Sequence, residues 1–422
     1  MVFRCRSSSK GCVAINNRNI VVALDVGTTR VKAAMAEIGS GRDINILGVT
    51  HAPSLGLRKG NIIDIESTAR SIENCINDLE RLTGVEVNSA LVGFSGGSIY
   101  AINNHAVVAV GNPNYEITHE DKERVMQSAC NIALPPDKTI VQAIERQYIV
   151  DGYDGVKDPI GMVGSRLEVE VALIVAATAA IQNMQRSTQR INLQINKIVY
   201  NPLLVAESVL LPTEKEMGVV LVDIGGGTTE ISCFEAGSLL FTSVLPVGGE
   251  YITKDLAIVL RTSVEEAARI KEKNGVASPN IAKSDIFIEV KNIQGKDSKR
   301  VSQQVVADII SARVAEIIEM IYTELKNFAC QERIPGGIVL SGGEAELTGI
   351  AQVMEEYMNI PVRLGIPENL RGIQLDFNKP QNATILGGLI YAANYLNINS
   401  GSRRGFSGLF DKLNYWWKDL FR

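Results

Sequence analysis

The chain is poor in the residues that build metal sites and disulfide frameworks. Its 422 residues include three histidines and six cysteines, and no two cysteines form a C-x-x-C pair. A zinc site or a disulfide scaffold needs clustered ligands, and the sequence has no such cluster. The cysteines read as reduced thiols that fill core space. Long hydrophobic runs are also missing. The longest mostly apolar stretch, 171–181, falls well short of the roughly 18 residues that cross a bilayer. Neither sign of charge dominates: 42 basic and 47 acidic residues leave a net charge of −5, which argues against a protein that coats nucleic acid. There is no G-x-x-x-x-G-K-[ST] and no G-x-G-x-x-G after a strand, so P-loop and Rossmann readings are disfavoured.

What remains is an ordinary globular composition, 45% hydrophobic and 21% charged. The length exceeds one compact core and implies several domains or one large bilobed fold. Residues 1–18 carry Arg4, Arg6, Lys10 and Arg18 with no acid. A transit peptide has this composition, but a short solvated tail is the commoner explanation. Strands are expected at 20–25, 31–37 and 44–51, followed by a helix with Ile65, Ala69, Ile72, Ile76 and Leu79 on one face. Asp64 or Ser67 would cap it and Gly84 would close it. Further along, strands are expected at 167–176, 219–223 and 337–340. Helices are expected at 202–211, in a helix-rich stretch over 254–310 with a charged connection at 291–300, at 302–330, and from Pro380 to about Leu396.

The strongest internal signal is a repeat. An apolar strand leads into Asp25-Val26-Gly27-Thr28-Thr29, and half a chain later another leads into Asp223-Ile224-Gly225-Gly226-Gly227-Thr228-Thr229. Glycine turns line up backbone N–H groups into a nest for phosphate oxygens, and threonine hydroxyls add donors. An aspartate beside phosphates repels them unless a cation intervenes. Two such residues, Asp25 and Asp223, therefore point to Mg²⁺ held through water. Lys32 follows the first loop and supplies a positive charge. A third element, Ser341-Gly342-Gly343 after a buried strand, offers flat backbone to a base or ribose. No histidine lies near these loops. Glu207 is a possible water-orienting carboxylate, but a solvated helix position is the better reading, so no catalytic residue is assigned.

These loops resemble the phosphate and adenosine motifs of the actin/Hsp70-like ATPase superfamily. Within it, the chain is similar to the FtsA family of bacterial cell-division proteins. The similarity runs from about Asn19 to Leu396 and through Leu91-Val92-Gly93-Phe94-Ser95-Gly96-Gly97, Leu245-Pro246-Val247-Gly248-Gly249 and Ala267-Ala268-Arg269-Ile270-Lys271. The resemblance implies an α/β, actin-like (RNase H-like) duplicated fold, with two lobes around a cleft for ATP and Mg²⁺. It places Gly248 and Gly249 close to the nucleotide and Lys271 beside the adenosine. Ala268 departs from the acidic residue expected in that helix, Glu344 from the usual third glycine, and Asn201 from a commoner glutamate.

The resemblance also implies subdomains. Subdomain 1A would take 19–85, 165–200 and 376–396, with an SHS2-like 1C insertion at 86–164. Subdomain 2A would take 201–254 and 311–375, with 2B at 255–310. Expected partners are the FtsZ C-terminal tail, a second copy in a homopolymer, later division proteins through 1C, and membrane lipid, but no nucleic acid. Arg300 and Arg313 match basic positions that would meet the acidic FtsZ tail. ATP turnover would be slow at most.

A polar linker, 397–404, precedes the last segment. In 405–422 the apolar residues Phe406, Leu409, Phe410, Leu413, Trp416, Trp417, Leu420 and Phe421 fall on a helical arc of about 140°. Both tryptophans of the chain lie there, and tryptophan favours the headgroup region. The expectation is a membrane-surface helix; the resemblance implies the same and places it at the cytoplasmic face. Helix docking on the protein's own core or on a partner is the alternative. Two rival functions stay open: a pilus-assembly-type ATP-binding relative and a small-molecule kinase of the same superfamily.

Overall fold

The computed structural model describes residues 19–401, except 40, 42, 98, 296, 329–332, 369 and 373–376. The first lobe opens with β1 (Ile20–Val26), β2 (Arg30–Ile38) and β3 (Ile44–Pro53), then a small hairpin of β4 (Leu57–Arg58) and β5 (Asn61–Ile62). Helix α1 (Ile65–Thr83) follows, then β6 (Ser89–Phe94). Asp64 caps α1 by accepting from the N–H groups of Glu66 (3.0 Å) and Ser67 (3.2 Å). Gly84 ends it in the left-handed region, φ 69°, where a side chain would be strained. The face of Ala69, Ile72, Cys75, Ile76 and Leu79 is buried.

An inserted unit comes next, with β7 (Tyr100–Ala109), α2 (His119–Cys130), β8 (Lys138–Val150), β9 (Tyr153–Val156) and β10 (Arg166–Ala177). Thr118 and Asp121 form a reciprocal capping box on α2. The chain then returns through α3 (Thr178–Gln189), β11 (Gln194–Tyr200), α4 (Asn201–Val209) and α5 (Pro212–Met217).

The second lobe starts with β12 (Val219–Ile224), β13 (Thr229–Glu235) and β14 (Ser238–Leu245), followed by α6 (Gly249–Leu260) and α7 (Val264–Asn274). A hairpin, β15 (Phe287–Lys291) and β16 (Ser298–Ser302), leads into α8 (Gln303–Asn327). The chain ends with β17 (Ile338–Ser341), α9 (Ile350–Met358), β18 (Val362–Leu364) and α10 (Ala383–Gly401).

The sheets carry the duplication. One has the order β11-β6-β1-β2-β3 and the other β14-β13-β12-β17-β18. In each, the strand before the Asp–Gly–Thr loop pairs antiparallel with its successor and parallel with a later strand. The insert forms its own sheet, β7-β10-β8-β9. This corrects the expected insertion boundaries of 86–164: β6 stays in the first sheet, and β10 closes the insert's sheet rather than returning to the first lobe. The charged connection at 291–300 lies within and between the strands of the β15–β16 hairpin, whose register pairs Phe287 with Ser302 and Lys291 with Ser298. Alternation had been obscured there by exposed charges on a two-stranded ribbon.

Helix α10 packs Ile385, Leu386 and Leu389 on Ala23, Ala34 and Ala36. The approach is close because Gly388 faces the Ala23 methyl and Gly387 faces the Leu204 carbonyl of α4, where a Cβ would collide. The helix runs to Gly401, past Leu396 and into the segment expected to be linker. The second lobe buries one face of α8, including Ile310, Val314, Ile317 and Ile321, with the core sides of β12 and β17. A further cluster joins the lobes, with Tyr200, Val205 and Val209 meeting Val219, Leu221 and Val339.

Candidate nucleotide site between the two lobes

The two Asp–Gly–Thr loops have the same local build. Gly27 N–H donates to Arg30 O (3.1 Å), and Gly225 N–H donates to Thr228 O (2.9 Å). Each bond closes a tight turn between a strand and its antiparallel successor. The loops then meet face to face. A side chain on Gly226 would overlap Thr29, and one on Gly227 would overlap Thr28. Thr28 Oγ1 accepts from Gly60 N–H (3.0 Å), which ties the β4–β5 hairpin to the same junction. Thr229 is held from below, its hydroxyl donating to Val247 O (2.8 Å).

Beneath the loops the charged residues converge. Asp25 pairs in register with Lys32, and Asp223 with Glu230. Burial raises the Asp25 carboxyl above its usual 3.8, against the opposing pull of Lys32 and a hydrogen bond from Asn201 Nδ2 (3.2 Å). Burial pushes Asp223 well above 3.8, and Glu230 and Asp25 add to the rise while Lys32 opposes it. Glu230 is also raised by burial, although Ser95 and Thr228 hydroxyls donate to it, the latter at 2.8 Å. Burial lowers Lys32, opposed by Asp25 and Asp223. The half-buried Lys32 side chain lies across from Asp25, and its ammonium donates to Gln381 O. Glu230 belongs to this centre and was not singled out from the sequence. The seven-residue offset that it shares with Lys32, each counted from its loop aspartate, was a usable signal.

Two buried carboxylates, Asp223 and Glu230, and the half-buried Asp25 face one ammonium, an excess of negative charge that a divalent cation would offset. Asn201 Oδ1 is buried without a hydrogen-bond partner, and can accept from a cation's water. Among the described residues, no three His, Cys, Asp or Glu side chains are grouped as direct metal ligands. The residues fit Mg²⁺ with a nucleotide phosphate.

The other expected positions lie around this centre. Gly248 sits against the carbonyls of Gly225 and Gly226. The first two N–H groups of α6 turn onto the second loop, Gly249 N–H to Gly225 O (3.0 Å) and Glu250 N–H to Gly226 O (2.8 Å). Gly342, at φ 90°, packs on the Asp223 carboxylate and the Ile224 carbonyl, where a Cβ would overlap both. Gly343 faces open space. Lys271 donates to Gly249 O (3.1 Å) and pairs with Glu344. Across the cleft mouth, Arg30 of the first lobe reaches Glu272 of α7 (3.2 Å). Glu207 is not in the centre; Lys215 holds it at 2.9 Å.

The two basic positions assigned to a partner differ. Arg300 lies on β16 with its guanidinium over the Phe287 ring at 5.3 Å. Arg313 on α8 is chelated by Asp255 at 2.7 and 3.2 Å and also pairs with Glu316. The apolar residues of 405–422 lie outside the described residues. No helix among the described residues is long and apolar enough to cross a membrane.

Comparison with known proteins identifies the family and the fold. A family profile described as "Cell division protein FtsA" matches residues 220–387, and one described as "SHS2 domain inserted in FTSA" matches 96–175. The second range fits the insert sheet, which ends with β10. Cell division protein FtsA of Bacillus subtilis is 39% identical over 392 residues, covering 93% of this chain and 87% of its own. The Neisseria meningitidis protein of the same name is 37% identical, covering 95% and 98%. Among solved structures, a PilM–PilN type IV pilus biogenesis complex matches with TM-score 0.64 at 16% identity, over 88% of this chain and 98% of that one. MreB5 of Spiroplasma citri bound to ADP matches with TM-score 0.55 at 13% identity, over 92% and 99%. At those identities the structures speak for the fold alone. The duplicated sheets, the inserted SHS2 unit and the curated relatives together establish that this chain belongs to the FtsA family of cell-division proteins, within the actin/Hsp70-like ATPase superfamily.

Proposed function

We infer that the protein binds MgATP in the cleft and acts as a membrane-bound adaptor that holds the FtsZ ring to the cytoplasmic face of the membrane. The meeting of the two Asp–Gly–Thr loops over Asp25, Asp223 and Glu230 carries the nucleotide part. Loop N–H groups and the hydroxyls of Thr28 and Thr29 would hold phosphate oxygens. Asp25 and Asp223 would orient cation-bound water, with Asn201 as a further acceptor. Mg²⁺ would supply the positive charge that lets phosphate lie beside these carboxylates. Lys32 would keep Asp25 ionised. Glu230 is engaged by two hydroxyls, an arrangement suited to holding water rather than to cycling a proton. Turnover at most slow is the corresponding expectation.

Recruitment uses surfaces away from the cleft. Arg300, whose guanidinium lies over the Phe287 ring, would present its cation to an acidic peptide such as an FtsZ tail. Arg313 already has two carboxylates and serves mainly to fix α8 to Asp255. The 405–422 segment would lie in the headgroup region, where each buried CH₂ is worth about 0.8 kcal/mol. One such helix binds reversibly, and a homopolymer would multiply it by avidity. Later division proteins would dock on the inserted unit.

Vesicle co-sedimentation of the full chain, with and without FtsZ tail peptide, tests the adaptor reading. Deletion after Ser402 should leave the protein in the supernatant with ATP binding intact, and Arg300→Glu should weaken tail binding most at low salt. Pelleting of the truncated chain would remove the membrane role.

A further inference from the structure

The wall of the cleft opposite the first lobe holds a buried ion pair that the phosphate chemistry does not use. Lys271 and Glu344 pair with side chains only 12% and 10% exposed. Their position is fixed from three sides. Lys271 donates to Gly249 O, and Gly249 N–H bonds the second loop at Gly225 O. The next residue of α7, Glu272, reaches Arg30 of the first lobe, so the 271–272 step lies where the lobes meet. Glu344 comes from the turn after β17, whose Gly342 packs on Asp223. That turn is joined to the end of α7 by Ala277 N–H to Thr348 O (2.9 Å) and the Val276–Thr348 bridge.

The carboxylate lies against Gly249, where any Cβ would overlap it, and beside the open face of Gly343. Oε1 receives the Lys271 ammonium. A carboxylate can only accept, so its second oxygen calls for a donor. The triphosphate end of a nucleotide has none and is repelled by the charge. The nucleoside end has two vicinal hydroxyls, which together match a carboxylate edge.

Resting on the reading that the cleft binds nucleotide, we propose that Glu344, clamped by Lys271, accepts from the ribose hydroxyls and makes the site select ribonucleotides over 2′-deoxyribonucleotides. A buried acceptor built for a hydroxyl rejects the analogue that lacks it, because the acceptor is then left unpaired. Lys271 supplies the positive charge that lets Glu344 stay buried, and the glycine at 249 supplies the space.

The test is calorimetry of the full chain with Mg²⁺ and ATP, 2′-deoxyATP or inosine triphosphate. The wild type should favour ATP over 2′-deoxyATP by about tenfold to hundredfold, the worth of one charge-assisted hydrogen bond. Glu344→Ala should bring ATP down to the 2′-deoxyATP level while 2′-deoxyATP is little changed. Glu344→Gln, which keeps one acceptor and the side-chain volume, should retain part of the preference, and a thermal melt of each variant checks folding. Equal wild-type binding of ATP and 2′-deoxyATP overturns the proposal, as does equal weakening of both by Glu344→Ala and Glu344→Gln. Selective loss of inosine triphosphate in the wild type would move the contact to the base amino group and overturn it too. If the wild type binds none of the three, the nucleotide reading itself has failed.

Discussion

The two halves of the duplication place opposite charges at one equivalent position. In the first sheet the loop aspartate, Asp25, lies across from Lys32; in the second, Asp223 lies across from Glu230. Directly opposed side chains on adjacent strands are about 4.5–5.5 Å apart at Cβ, close enough for the sign to matter. The first half therefore neutralises its own aspartate. The second places two carboxylates together in a buried site and leaves the charge to be balanced from outside. Two similar halves thus carry opposite charge at one equivalent position; Lys32 of the first half faces the aspartates of both, and the second half, with its extra carboxylate, is the one expected to take up a cation.

Removing the balance in the first half should have the largest effect. Lys32→Met deletes the ammonium that faces Asp25 and Asp223, and leaving enclosed carboxylates without their partner costs up to about 3–5 kcal/mol. Urea unfolding without nucleotide measures it, and a loss under 1 kcal/mol would mean that the two halves are not electrostatically different.

Nucleotide binding should depend on the second half next. Asp223→Ala removes the carboxylate that both the second loop and Gly342 surround. We expect ATP affinity to fall by two orders of magnitude or more, about 3 kcal/mol, with the melting transition retained. Gly226→Val should act in the same direction, because its side chain would force Thr29 away.

Glu230→Gln should do the reverse of Lys32→Met for stability. Burial raises Glu230 above its usual 4.5. A group with a raised folded-state pKa contributes stability that is full below the unfolded value and is lost as pH rises through the folded value. The variant lacks that loss. Its advantage over the wild type should be absent below about pH 4.5 and grow as pH rises above it. The Ser95 and Thr228 hydroxyls keep an acceptor in the amide oxygen. A pH series of melts on both proteins checks the sign, and an advantage that shrinks with pH would refute it.

The smallest effect belongs to the lobe contact at the cleft mouth. Arg30 and Glu272 are both exposed to solvent, so Arg30→Ala should change stability by no more than about 0.5 kcal/mol.

Much of this was readable in the residues. The two loops announced themselves because glycine, threonine and aspartate at a strand end form a local pattern, and its repetition half a chain away made it specific. The α1 caps at Asp64 and Gly84 were likewise local. Other features depended on tertiary pairing and gave weaker signals. Glu230 looked like an ordinary strand residue until the β12–β13 register set it opposite Asp223. The insert boundaries were misplaced because β6 and β10 are both apolar strands, and only hydrogen bonding assigns each to its sheet. Lys32 read as a charge following the first loop, and the β1–β2 register sets it opposite Asp25. Arg313 read as a free cation because its partner, Asp255, is 58 residues away.

The most direct test of the divided halves is the cation dependence of ATP binding. Calorimetric titration of the wild type with ATP, in Mg²⁺ and then in excess chelator, measures whether the second half needs outside charge. The account predicts that affinity falls by at least two orders of magnitude in chelator and that Glu230→Gln narrows the gap. Equal affinity in both conditions would contradict it.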